Sequence, residues 1–245
     1  MNTNTIAYIL TGSSPTKLGV LDLITNSLYR SECYVYEMHT FDDADTGQFF
    51  FRMEFNYRGT GEFSEESLCH QLTARASSFD VEWELRNLGT PENVVILVTK
   101  YDHGLQDILH RYSTGALNIE VPAIIANHPV LQKQAGWYNI PYYHLPVTPE
   151  TKVEQEAKMW DIIQQSEADL VVLARYMQVL SEDMCKKLHG QAINIHHSLL
   201  PGFKGAKPYH QAYDKGVKLV GATAHYVSQD LDEGPIISQG VEPVD

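Results

Sequence analysis

Three short apolar runs constrain this chain more than any other feature: Val94-Val95-Ile96-Leu97-Val98, residues 121–126 and residues 170–174. Each has the length of a strand, and none shows the polar alternation of a strand with one wet face. Each therefore reads as a strand covered on both sides. Between them the pattern turns helical, over residues 105–112 with a stop at Gly115, and again over 151–166. Strand–helix alternation of this kind belongs to a parallel α/β sheet. A helix from Ser181 and strands at Ala192–His196 and Leu219–Tyr226 continue it. The fold expected of the second half is a doubly wound, mostly parallel sheet.

Before residue 88 the pattern differs. Ile6, Tyr8 and Leu10 mark a half-buried strand. Ser14-Pro15 reads as a helix start, a capping hydroxyl followed by proline, with Leu18, Leu21, Ile24 and Leu28 at helical spacing. Residues 34–41 and the alternating Phe49, Phe51, Met53, Phe55 and Tyr57 make a hairpin. Ser64 opens a second helix whose first turn carries Glu65 and Glu66, where the helix dipole favours acids. Residues 79–85 form a last strand, completing βαββαβ. Residues 87–92 read as a linker, so two domains are expected, 1–88 and 93–245. No internal repeat is visible.

Charge narrows the function. With 18 basic and 31 acidic side chains the chain carries −13, a poor surface for nucleic acid or an anionic membrane. No apolar run approaches the ~18 residues of a membrane span, and Met1-Asn2-Thr3-Asn4-Thr5 begins no secretory signal. Cys33, Cys69 and Cys185 stand far apart, which fits a soluble protein of the reducing cytoplasm. Nine of the 11 histidines follow residue 88, so the chemistry is expected there.

Two stretches carry it. In Ala192-Ile193-Asn194-Ile195-His196-His197 the strand period puts Asn194 and His196 on one face and His197 on the other. The carboxyl end of such a strand is where open α/β sheets bind ligands. A second strand carries His225 and runs into an acidic loop, Asp230-Leu231-Asp232-Glu233-Gly234-Pro235. Alone, the first reads equally as a core histidine with a turn asparagine, and the second as a solvated turn. Together they offer a carboxylate, an imidazole and a neutral amide donor, which hydrolysis of an acyl or formyl group requires. No His-x-His or His-Glu-x-x-His spacing is present, so neither metal nor cofactor is expected.

Asn194-Ile195-His196, the following Ser198-Leu199-Leu200-Pro201, and Asp232 in Leu-Asp-Glu-Gly-Pro-Ile resemble the formyltransferase-type family that handles formyltetrahydrofolate. The resemblance implies a catalytic set of Asn194, His196 and Asp232. It implies substrate contacts at Tyr176, Met177, Val179 and Leu180, in a segment similar to the family's folate-binding loop, and at His225 and Gly234. Within the family the chain is most similar to the deformylases. His197 stands where glycinamide ribonucleotide transformylases usually have proline, and Pro208-Tyr209-His210-Gln211-Ala212-Tyr213 resembles the deformylase version of the next helix. The N-terminal segment resembles an ACT domain. Where transformylases hold a phosphate with a glycine-rich loop, this chain has Thr99-Lys100-Tyr101-Asp102-His103-Gly104, with one glycine and an acid that repels phosphate.

The implied reaction is hydrolysis of 10-formyltetrahydrofolate to tetrahydrofolate and formate, supplying formate to purine biosynthesis and balancing the one-carbon folate pool. In it Asp232 positions or deprotonates water, Asn194 stabilises the oxyanion, and His196 donates to the oxyanion and delivers a proton, with His225 behind them. The implied partners are the folate substrate, an amino-acid effector at the N-terminal domain and further copies of the chain. Lys204, Lys207, Lys215 and Lys218 are candidates to attract folate carboxylates, against a plain solvated face. Family members continue beyond the equivalent of Asp245, so a truncated chain is expected. Two alternatives stay open: a formyl transferase with another acceptor, and a non-catalytic folate- or amino-acid-binding regulator.

Overall fold

A computed structural model describes residues 6–205 and 207–244. Residues 1–5, on which the reading of no secretory signal rests, lie outside the described residues. The chain divides into two compact units, Met1–Thr90 and Pro91–Asp245.

The first unit runs β1 (Ala7–Pro15), α1 (Val20–Arg30), β2 (Cys33–Asp43), β3 (Gln48–Tyr57), α2 (Glu65–Ala76) and β4 (Glu82–Asn87). Its sheet has the order β2-β3-β1-β4, and β1 is antiparallel to both neighbours. This is the split βαβ arrangement of ferredoxin-like folds. Period-2 alternation in β3 buries Phe51, Met53 and Phe55 against Leu23, Ile24 and Leu28 of α1. Ser64 caps α2 by accepting from the Ser67 amide at 3.1 Å.

Two boundaries differ from the sequence expectation. Ser14-Pro15 does not start a helix. Pairing with β3 carries β1 on to Pro15, and α1 begins after Gly19, whose φ of 101° suits only glycine. The buried face is then Val20, Leu23, Ile24, Ser27 and Leu28, while Leu18 is fully exposed. The last strand starts at Glu82 rather than at residue 79, because Phe79 still bonds back to Ala76 and Asp80 takes a φ of 54°.

The second unit contains β5 (Glu92–Val98), α3 (His103–Ser113), β6 (Ile119–Ala126), α4 (Gln132–Trp137), β7 (Tyr142–His144), α5 (Lys152–Gln165) and β8 (Leu170–Leu173). It continues with α6 (Glu182–Lys187), β9 (Ala192–His196), α7 (Pro208–Asp214), β10 (Leu219–Tyr226) and β11 (Ile236–Pro243). Sheet order is β11-β10-β9-β8-β5-β6-β7, parallel from β9 to β7, with β10 and β11 added antiparallel. The apolar run of β5 feeds two cores. Val95 and Leu97 pack with Met159 and Met184 on one face, while Val94, Ile96 and Val98 pack with Leu105 and Leu109 on the other. That double burial is why the run carries no alternation. The order reverses between β8 and β5, which opens a crevice at their carboxyl ends. Among the described residues no helix is long and apolar enough to cross a membrane.

Candidate functional site

β9 and β10 pair antiparallel with Asn194 opposite His225 and His196 opposite Thr223. Directly opposed residues share a face, so the pairing itself brings the two sequence stretches together. The Asn194 Nδ2 lies 3.2 Å from His225 Nε2, and His225 Nδ1 lies 2.8 Å from the Tyr226 carbonyl. A carbonyl only accepts, so Nδ1 carries the proton. In the neutral ring Nε2 is then the acceptor for Asn194. One amide N–H of Asn194 is fixed in this way, and its second remains for a ligand.

His196 is 5% exposed, and its Nε2 donates to the Phe203 carbonyl at 2.9 Å, which also accepts from Ser198 Oγ at 2.7 Å. Its Nδ1 faces Asp232 Oδ2 at 3.4 Å, and His225 Nε2 stands 3.8 Å from Asp232 Oδ1. Asp232 takes a φ of 57° on the β10–β11 turn, and its Oδ2 also accepts from the Gly205 amide at 3.2 Å. Both ring nitrogens of His196 are thus engaged by protein, and donation from Nε2 to an oxyanion requires the Phe203 carbonyl to give way.

Asn194, His196, Asp232 and His225 line one cavity of about 240 Å³ with the segment after β8. Tyr176 and Leu180 are buried in its wall, and Met177 and Val179 are half exposed at it. Tyr176 Oη accepts from Gln155 Nε2 at 3.1 Å, and Thr99 Oγ1 accepts from the Met177 amide at 2.9 Å. A buried carboxylate, Glu156, accepts from the Ser181 amide at 2.8 Å, holding the far end of the segment.

Three placements depart from expectation. Gly234 does not line the cavity. A β-carbon there would stand 1.8 Å from the Tyr226 carbonyl, so this glycine permits a close backbone approach that seats the Asp232 turn. His197 does not turn to the far face. β9 ends at His196, alternation ends with it, and the two rings lie 5.6 Å apart at the same cavity. Burial pushes the His197 imidazole below its ordinary value, and the Arg175 cation lowers it further. Lys204 is paired with Glu233 at 2.7 Å, which reduces what it offers a distant carboxylate.

Arg175 falls inside the segment 171–180 that resembles the folate-binding loop but was not singled out as a site residue, although it too lines the cavity. Its neighbour in sequence, Tyr176, carries the apolar pattern, and nothing in residue spacing marks an arginine there. Among the described residues, no group of three or more His, Cys, Asp or Glu is arranged to hold a metal ion.

Comparison with known proteins agrees across the chain. Residues 92–245 match the family described as Formyl transferase. A formyltetrahydrofolate deformylase from Corynebacterium sp. (strain P-1) is 44% identical over 240 residues, covering 98% of this chain and 84% of that protein. The crystal structure of a formyltetrahydrofolate deformylase from Pseudomonas putida KT2440 superposes with a TM-score of 0.88 at 52% identity, covering 98% of this chain and 85% of that one. A phosphoribosylglycinamide formyltransferase from Anaplasma phagocytophilum superposes with a TM-score of 0.57 at 34% identity, over 62% of this chain and 72% of that one.

Proposed function

The chain belongs to the formyl transferase family and, within it, to the formyltetrahydrofolate deformylases, and on that premise we propose how it hydrolyses 10-formyltetrahydrofolate to tetrahydrofolate and formate. The observation that carries the scheme is the convergence of Asn194, His196 and Asp232 on one cavity beside the segment 176–180. The folate lies along that segment, with its formyl group toward the three side chains. Asp232, with His196 behind it, orients water on the formyl carbon and takes up its proton. The free N–H of Asn194 meets the oxygen that becomes negative in the tetrahedral intermediate. His196 then returns a proton to N10 as the carbon–nitrogen bond breaks. His225 acts through Asn194 by fixing its amide.

Water is the acceptor in this reading. The loop where β5 enters α3 presents Asp102, whose Oδ2 is held by Gln106 Nε2 at 2.7 Å and Gln134 Nε2 at 3.1 Å. A fixed carboxylate at that position repels a phosphorylated acceptor. Incubation of the enzyme with 10-formyltetrahydrofolate and no acceptor tests the assignment. Formate must appear at a catalytic rate, and its absence sinks the hydrolase.

The N-terminal unit is read as an ACT-type module that binds an amino-acid effector and joins copies of the chain. Its βαββαβ order supports this, as do Tyr34, Phe41 and Phe50, exposed on the sheet face away from α1 and α2. Three free cysteines fit a cytoplasmic setting, and neither cofactor nor metal enters the scheme.

A further inference from the structure

The crevice where the sheet order reverses holds a cation that the scheme above does not use. β5 and β8 end side by side, and the Thr99–Met177 hydrogen bond ties their exits together. Between them Arg175 takes a φ of 60°, a conformation that favours glycine and is uncommon for a residue with a side chain. Strained backbone of this kind persists where the surrounding structure imposes it, and it clusters at functional sites.

The guanidinium is held but not neutralised. Its Nη1 donates to His103 Nε2 at 2.9 Å, and its Cζ lies 4.8 Å from the centre of the Tyr101 ring. Its Nε is buried with no hydrogen-bond partner, and among the described residues no carboxylate pairs with it. Asp102, which lies between its partners Tyr101 and His103 in sequence, is already engaged by two glutamine amides. In a chain of net charge −13, a buried-edge arginine without a carboxylate is an unfilled anion site. Arg175 lines the same cavity as Asn194, His196 and Asp232, so an anion it holds shares that cavity with the three side chains.

We infer that Arg175 forms the wall that receives the product formate. The inference rests on the deformylase reading. In that reaction the water oxygen bonds to the formyl carbon and the bond from that carbon to N10 breaks. N10 keeps the electron pair and gains a proton, and formic acid loses its own proton to the site and then to solvent. What remains beside Arg175 is a planar carboxylate, the shape that a guanidinium grips with two parallel hydrogen bonds.

The test uses the full chain and ¹³C-formate. Formate binding is read from NMR line broadening, with and without tetrahydrofolate, and formate is measured separately as a product inhibitor. Arg175→Gln and Arg175→Gly should each weaken formate binding by about tenfold or more, and Arg175→Lys should recover part of it. Arg175→Gly suits a φ of 60°, so it removes the cation without a backbone penalty. Formate binding equal in the unmodified and Arg175→Gly chains overturns the inference. So does a loss seen only for benzoylglutamate titrated in parallel as a carboxylate probe, which would assign the arginine to the substrate's own carboxylates. The NMR arm needs no turnover, so its failure is separable from a failure to release formate.

Discussion

His196 Nδ1 and Asp232 Oδ2 stand 3.4 Å apart with both side chains 6% exposed, while His196 Nε2 already donates to Phe203. With the Nε2 proton committed to a carbonyl, the contact with Asp232 is attractive only when a second proton lies between ring and carboxylate. In the proposed scheme this pair takes a proton from water and passes it on. Asp232→Asn keeps the shape and removes the charge. Turnover should fall by about 10²–10⁴-fold while folate still binds. Single-turnover formate release alongside folate fluorescence checks both halves, and a rate near that of the unmodified enzyme removes Asp232 from the mechanism.

Asn194→Ala should lower kcat by about 10²–10³-fold, as for other oxyanion donors, and leave the shape of the pH profile in place. His225→Ala should cost less, because it only frees the amide that Asn194 presents. The double variant should lose no more than Asn194→Ala alone, since His225 acts through Asn194. Additive losses in the double variant would mean that His225 touches the reaction independently.

Gly234→Ala forces a β-carbon to 1.8 Å from the Tyr226 carbonyl. The turn carrying Asp232 must shift, with a stability loss of about 1–3 kcal/mol or more. Urea unfolding measures the loss. Activity should fall further than stability explains, because Asp232 moves with the turn. A stable and fully active Gly234→Ala protein would contradict the packing seen here.

His197 has its affinity for a proton lowered from 6.5, first by burial and then by Arg175. The unfolded chain protonates there first, so the fold loses stability as pH falls below 6.5 toward the folded value. Above 6.5 the residue contributes no pH dependence. His197→Asn should flatten the decline below about pH 6.5, read as urea midpoints at several pH values. An unchanged slope would show that other groups cause it.

Much of the fold could be read from residue pattern because burial imposes pattern. The runs in β5, β6 and β8 are apolar on both faces, and β3 alternates because one face alone is covered. Ser64 and Ser181 were visible as caps, and each accepts from the amide three residues on. The start of α1 was misread because a local signal, Ser14-Pro15, lost to nonlocal pairing with Phe49 and Gln48. α4, β7 and β11 were not expected at all. The first two are short, and all eight residues of β11 are exposed, so no burial shaped its sequence. Asn194, His196 and Asp232 were named from resemblance, and the partnership of Asn194 with His225 needed the cross-strand register. Arg175 needed three dimensions, since its partners Tyr101 and His103 come from another strand exit.

That register has a consequence for how this enzyme can vary. Asn194 faces His225 because β9 and β10 are aligned residue for residue, so the spacing of the site is quantised in steps of one strand position. A single insertion in either strand turns half of the group to the opposite side of the sheet, and no smaller adjustment is open to it. The helix α7 between the strands carries no such veto. Change in length can accumulate there, while the two strands that flank it must be inherited as a matched pair.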